Sequence, residues 1–358
     1  MGEPATGTEF TLDTAAELAQ VEHGAIQGRS PWYLAWRRLR RNYIAFAFLG
    51  LFVVIVLACA LAPAYASHVA HTGPNANHVL DTITVHGKQV PVVSPGGLIN
   101  GKLVPSLPIG PQWFNAGGRY LLGADANGRD VAVRLLYGGR NSLVIGIGSA
   151  LICIVVAVLL SLIAGYFGGW IDFVITRFYD LFYAFPVILL GIALGSALAI
   201  NGFHHFGITI ESGSIWIPTL VISYVLIAYV GRPIRGQILS LREKEFVEAA
   251  IAQGARPWRI MVSDLLPNLA SSVLVFFTLI IANNIVVEAA LSFLGAGVQP
   301  PTASWGTLIA DGQTLIVTRP WLSLAPGIAI VLTVLSLNIF GDGLRDALDP
   351  RAKVRMEH

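Results

Sequence analysis

We read the sequence as an all-α membrane protein with about six transmembrane helices. Three observations predict this. Of 358 residues, 54% are hydrophobic and only 12% are charged, about half the charged share of an ordinary soluble domain. The mean hydropathy is +0.67. Six apolar runs of membrane-spanning length punctuate the chain: Tyr43–Ala62, Ser142–Gly165, Leu181–Ile200, Ser214–Val230, Leu269–Leu291 and Trp321–Phe340.

In chain order, residues 1–29 are polar and acidic, with Glu3, Glu9, Asp13, Glu17 and Glu22, and predict a flexible cytoplasmic tail. Ser30-Pro31 marks a helix start. Trp32, Tyr33, Trp36 and Leu39 then alternate with arginines, as on a helix lying in the membrane interface. Residues 30–62 therefore form an interfacial helix and the first span. That span holds twelve Ile, Leu, Phe or Val residues, each favouring insertion by about 0.3–0.6 kcal/mol. Ala64-Tyr65-Ala66 looks like a signal cleavage site, but the run exceeds a signal core in length and follows 42 residues; we read it as an uncleaved anchor.

Residues 63–141 predict an extracytoplasmic segment. Thr82–Val85 and Gln89–Val93 flank His86-Gly87-Lys88 as a short hairpin. The spacing of His68, His71, His78 and His86 fits no compact ligand pattern, so no metal site is expected. Asp125-Ala126-Asn127-Gly128-Arg129-Asp130 predicts a tight turn held by Asp and Arg pairs rather than a calcium loop. It leads into a basic amphipathic stretch, Val131–Arg140. Cys59 and Cys153 lie in apolar runs and are expected to be small buried hydrophobes.

The core is expected over 142–341, followed by a cytoplasmic C-terminal tail, 342–358. Sixteen of the 23 Lys and Arg residues fall in the segments before span one, between spans two and three, between four and five, and after six. Both termini are thus expected in the cytoplasm. Polar groups within the spans are few. Asn283, Asn284 and Glu288 are candidates for a translocation path or gate, with 284 and 288 on one helical face. Glu288 lies near the expected outer end, within reach of water. Gly191 and Gly195 permit close helix packing, and Pro186 and Pro326 predict kinks.

The loop 231–268 is too polar for the membrane but carries a helical patch, Arg242–Gln253, closed by Gly254. Pro257 opens a second short helix, and Pro267 restarts the chain into the fifth span. Alanines beside Glu248 leave a shallow face for a partner.

Glu248-Ala249-Ala250, Gly254 and Leu266-Pro267, at this spacing, resemble the EAA loop of ABC-importer permeases; Asp264 stands where that loop usually has isoleucine. Leu122–Asp125, Arg129–Val131 and Leu136–Arg140 resemble the dipeptide and oligopeptide permease C subunits. So do Gly165–Trp170, Ala290–Gly295 with Gln299-Pro300-Pro301, and Gly341-Asp342 with Asp349-Pro350-Arg351. The resemblance covers about residues 30–355 and implies the type I ABC-importer (MetI-like) permease fold, with an extracytoplasmic insert. It further implies that Glu248, Ala249, Ala250, Gly254, Leu266 and Pro267 couple to an ATPase. The implied partners are two cytoplasmic ATPase subunits that bind ATP and Mg, a second homologous permease, an extracytoplasmic substrate-binding protein and membrane lipids. The implied site is a bacterial inner membrane.

No P-loop is present: Gly87-Lys88 and Gly101-Lys102 are followed by Gln and Leu. Neither H-E-x-x-H nor G-x-S-x-G occurs. The chain is therefore expected to be non-catalytic, with no cofactor or metal of its own and no nucleic-acid partner, and energy must come from another chain. Peptides are the expected solute, with nickel, glutathione or an oligosaccharide as alternatives. A stand-alone channel or secondary carrier would place charges deep in the membrane, and this sequence has none centrally.

Overall fold

The computed structural model describes residues 31–348, apart from positions 86, 100, 101, 105, 114, 116 and 206. The expected tail over 1–29, His86 and Asp349-Pro350-Arg351 lie outside the described residues. Helix α1 (Pro31–Leu39) opens on its proline. Helix α2 (Tyr43–Ala60) starts where the Asn42 side chain accepts the Ala45 N–H at 3.1 Å, and α3 (Ala62–His68) follows. Val53, Val54 and Leu57 of α2 are exposed, as apolar residues are on a helix solvated by lipid.

The centre of the molecule is α4 (Val131–Phe167). At 37 residues it is about 55 Å long, well beyond the ~30 Å hydrocarbon core. Val131–Arg140, expected as a separate stretch before the second span, is instead its first turns. The reason is at its start. Asp130 accepts the Ala132 and Val133 N–H groups at 2.9 and 3.2 Å and the Tyr120 N–H at 2.6 Å, an N-cap that fixes the helix to the preceding turn. Burial pushes the Asp130 carboxyl above its ordinary value, while these three N–H donors pull it down.

Helices α5 (Gly169–Tyr183) and α6 (Val187–Asn201) are bent by 88° at the break between them. The third run, expected as one span over Leu181–Ile200, is thus divided. Pro186 supplies the cause: it lacks an N–H, and it bars Phe185 from helical geometry. Helix α7 (Trp216–Arg242) outruns its expected end at Val230 and carries Pro233 inside it. Among the described residues, five helices are long and apolar enough to cross a membrane, or six if the bent pair is one span.

Helices α8 (Glu245–Ala252) and α9 (Pro257–Arg259) are short. A π-helical turn, Ile260–Leu265, joins α9 to α10 (Leu266–Phe293). Pro267 was expected to restart the chain. Instead Pro257–Phe293 is one continuous helical run of 37 residues. The wide turn absorbs the proline: the Leu266 N–H reaches five residues back to the Met261 carbonyl, shifting the carbonyl that the ring would otherwise meet. Helix α11 (Trp305–Gln313) has a Ser304–Thr307 capping box. Helix α12 (Trp321–Leu348) contains Pro326 and runs on through the expected start of the tail at 342.

Helices α7, α10, α11 and α2 pack around α4. Contact is close: a Cβ at Gly146 would lie 2.5 Å from Ile285 of α10. Gly191 is buried against Leu291 and Gly195 against Ala296, so the paired glycines do seat α6. Cys59 and Cys153 are buried free thiols.

A platform covers one end of the bundle. Strands β1 (Thr82–Val85) and β2 (Lys88–Pro91) form an antiparallel hairpin with Val85 opposite Lys88, so Lys88, expected in the turn, belongs to the strand. Further pairs join β3 (Val93–Ser94) to β6 (Leu107–Pro108) and β4 (Gly97–Ile99) to β5 (Lys102–Val104). Ile83, Val92, Val93, Tyr120 and Ala124 form its small core. A fourth pair, β7 (Phe203–His205) with β8 (Ile208–Ile210), links α6 to α7. His78 bridges Thr72 and Asp81 at 2.9 and 2.7 Å, and His68 turns back onto its own helix.

Candidate functional site

The polar segment between α7 and α10 is compact. Helix α8 is fastened to the bundle by Val247, fully buried, and by half-buried Ala250. Its opposite side carries Glu248, Ala249 and Ala252, and Ile251 lies beside Val247 one turn on; all four are exposed. Glu245 and Glu248 lie in the first turn, where the helix dipole favours acid. The helix ends in a Schellman closure: the Ala255 N–H donates to Ala250 at 3.0 Å, the Gly254 N–H to Ile251 at 2.9 Å, and Gly254 has φ +75°. Glu248, Ala249, Ala250 and Gly254 therefore form one unit. Leu266 and Pro267 do not join it; they lie beyond the π-turn, Leu266 half-buried and Pro267 exposed. Asp264, where the loop pattern has isoleucine, leaves its backbone carbonyl to the Asn268 amide at 2.6 Å.

Behind α8, two ion pairs tie α5 to α7. Asp172 pairs with Arg235, and Asp180 with Arg232; Arg232 also stacks on Tyr183, 3.9 Å from its ring centre. Deeper in, Ser161 donates to the Gly231 carbonyl at 2.8 Å and meets the Tyr179 hydroxyl at 3.2 Å. These pairs explain why 231–242 is helix and not loop. None of the four charged residues stood out in the sequence as a site. Their opposite signs on two adjoining segments were the available signal.

Asn284 and Glu288 share a face, as their spacing predicts, and Asn283 points away and is exposed. That face meets α4 rather than an open path. Asn284 pairs with the Ser149 hydroxyl at 2.8 Å. Glu288, expected near water, is 0% exposed. Its carboxylate accepts the Ser142 hydroxyl at 2.7 Å on one oxygen and the Ser292 hydroxyl at 2.7 Å on the other. Each serine accepts a backbone N–H in turn, Trp305 to Ser142 at 3.1 Å and Val298 to Ser292 at 3.0 Å. The water expected around Glu288 is excluded because the 294–304 loop and α11 fold over this end of α10.

A platform end and an opposite end bearing α8 thus bracket the spans. A cavity of 470 Å³ beside α6 and α7 is lined by Ile152, Leu194, Phe203, Val221 and Tyr224, with Ser223 its one hydroxyl on a spanning helix aside from Tyr224. Among the described residues that line it there is no nucleophile–base constellation. The fold is that of a multi-span helical membrane protein with a strand-built platform at one end and a short exposed helix at the other.

The chain matches the family described as binding-protein-dependent transport system inner membrane component over residues 157–354. It also matches the N-terminal TM domain of oligopeptide transport permease C over 30–79. A dipeptide transport system permease protein of Alkalihalophilus pseudofirmus is 35% identical over 325 residues, 90% of this chain and 91% of the relative. A glutathione transport system permease protein of Pectobacterium atrosepticum is 36% identical, with 91% and 93% covered. A putative peptide transport system permease protein of Brucella suis is 36% identical over 347 residues, 97% and 99% of the two chains. The chain belongs to the binding-protein-dependent transport system inner membrane components. It is a non-catalytic permease subunit of an ABC importer, working with a separate ATPase subunit and a substrate-binding protein.

Proposed function

We propose that this permease admits small peptides and takes its stroke from the Glu245–Gly254 unit. The observation that carries the coupling role is the geometry of α8. It is rooted by Val247 and closed by Gly254, and it presents Glu248, Ala249 and Ile251 outward between the end of α7 and the start of the Pro257–Phe293 rod. A knob so held transmits a push as a rigid body. Two ATPase chains holding ATP and Mg seat one such knob on each of two homologous permease subunits, and both termini of this chain lie in the cytoplasm. ATP-driven closure then favours one access state through contacts that differ between states.

The peptide reading draws on relatives named for dipeptide and peptide transport. Glutathione is the second reading, since a relative of equal identity is named for it. Uptake of a labelled dipeptide into cells, with glutathione as competitor, separates the two. Glu248→Lys abolishes ATP-driven uptake while the protein still inserts and accumulates in the membrane. Normal uptake in that variant removes the coupling role, and purification as a lone homomer removes the assembly.

A further inference from the structure

We infer that Glu288 is a positioning residue that clasps the 294–304 loop and α11 onto the spanning helices, and so carries load from the platform to the α8 end. Among the described residues no cationic side chain pairs with the buried carboxylate, and both its oxygens are occupied by serine protons. Each hydroxyl has one proton. With that proton on Glu288, Ser142 and Ser292 turn lone pairs toward the Trp305 and Val298 N–H groups. One side chain thereby fixes two hydroxyls and two backbone donors from the segment that follows α10.

The chain of contacts continues in both directions. Asp311, at the far end of α11, meets Arg129 at 3.0 Å and Arg134 at 3.3 Å, and these arginines also engage Asp125 of the platform turn. Asn141 of α4 donates to the Ala303 carbonyl at 2.7 Å. Arg319 donates to the platform's Pro108 carbonyl at 2.8 Å. In the other direction, Glu288 sits near one end of the unbroken Pro257–Phe293 helix, whose other end adjoins Gly254. Platform, clasp, rod and knob form one line. This rests on the proposed reading, in which the binding protein lands on the platform and the ATPase grips α8.

Glu288→Gln tests it, since the amide keeps the volume but turns one of two acceptors into a donor. The whole transporter, in proteoliposomes, is measured for ATP hydrolysis against the concentration of its dipeptide-loaded binding protein. Amide exchange is followed over 296–308 against 216–242 as the internal reference. Exchange over 296–308 is expected to rise about tenfold, and stimulation over the basal rate to fall about fivefold. A defect of structure alone lowers basal and stimulated rates together and leaves the ratio unchanged, which overturns the inference. Unchanged exchange overturns the clasp, and raised exchange with full stimulation overturns the transmission. If wild-type protein ignores the loaded binding protein, the proposed function fails while the exchange arm still judges the clasp. Should the glutamine variant not assemble, Ser292→Ala removes one of the two hydroxyls and is judged by the same outcomes.

Discussion

Gly139 has no room for a methyl group: a Cβ there would lie 2.5 Å from the Cys59 sulfur and 2.7 Å from the Trp305 ring. At Gly148, on the same helix, the nearest atom is an ordinary 3.4 Å away. Alanine favours helix over glycine by about 1 kcal/mol, whereas overpacking costs about 1–3 kcal/mol. Gly139→Ala is therefore expected to lower the melting temperature of the detergent-purified protein, and Gly148→Ala to hold or raise it. Equal behaviour of the two removes the close-packing account. Residues of this kind divide by what their neighbours in sequence reveal. Gly254 was legible because a helix-closing glycine needs only its own helix. Asn284 and Glu288 were legible as a shared face because four residues make a turn. What that face meets was not: Ser149 and Ser142 are 135 and 146 residues away, and periodicity says nothing of which helices adjoin.

At the scale of elements, the ends were misread for one reason. Polar residues after an apolar run suggest a loop, yet a helix continues wherever those residues find partners. Arg232 and Arg235 find Asp180 and Asp172, so α7 continues to Arg242; Arg134 finds Asp311 and Asp125, so α4 begins at Val131. The α5–α7 pairing makes a reciprocal prediction. Asp172→Arg places like charges together and is expected to cut uptake about tenfold, and adding Arg235→Asp restores most of it. A double variant no better than the single one shows that the pair does not act as a unit. Pro186 was legible as a kink, but its 88° angle depends on α6 seating its glycines against Leu291 and Ala296.

For the whole molecule, composition and six apolar runs were enough for the class, because a bilayer admits few solutions for a backbone that must satisfy itself. The platform was legible only as its β1–β2 hairpin; its remaining strands are two or three residues long, below the length at which alternation is visible. Orientation rests on arginine placement and has a direct test. Single cysteines at Thr84 on the platform and Gln253 beside α8, both exposed, are offered to a membrane-impermeant maleimide. Thr84→Cys is expected to label from the outer side of the inner membrane, and Gln253→Cys only after permeabilisation. The reverse pattern inverts the protein. Native background is low, as Cys59 and Cys153 are buried.

The π-turn at Ile260–Leu265 has a further effect, on angular phase. A helix advances by about 100° per residue, and a wide turn holds one residue more than the regular turn it replaces. Removing one residue there would turn the wide turn into a regular one and leave the segments on either side near their present azimuths, whereas the same deletion in the regular part of α10 would rotate everything before it by about 100° around the rod axis. Glu248 and its alanines would then face a different azimuth from the one Val247 now sets. The wide turn thus takes up one more residue than a regular turn while leaving the direction in which the knob points nearly unchanged.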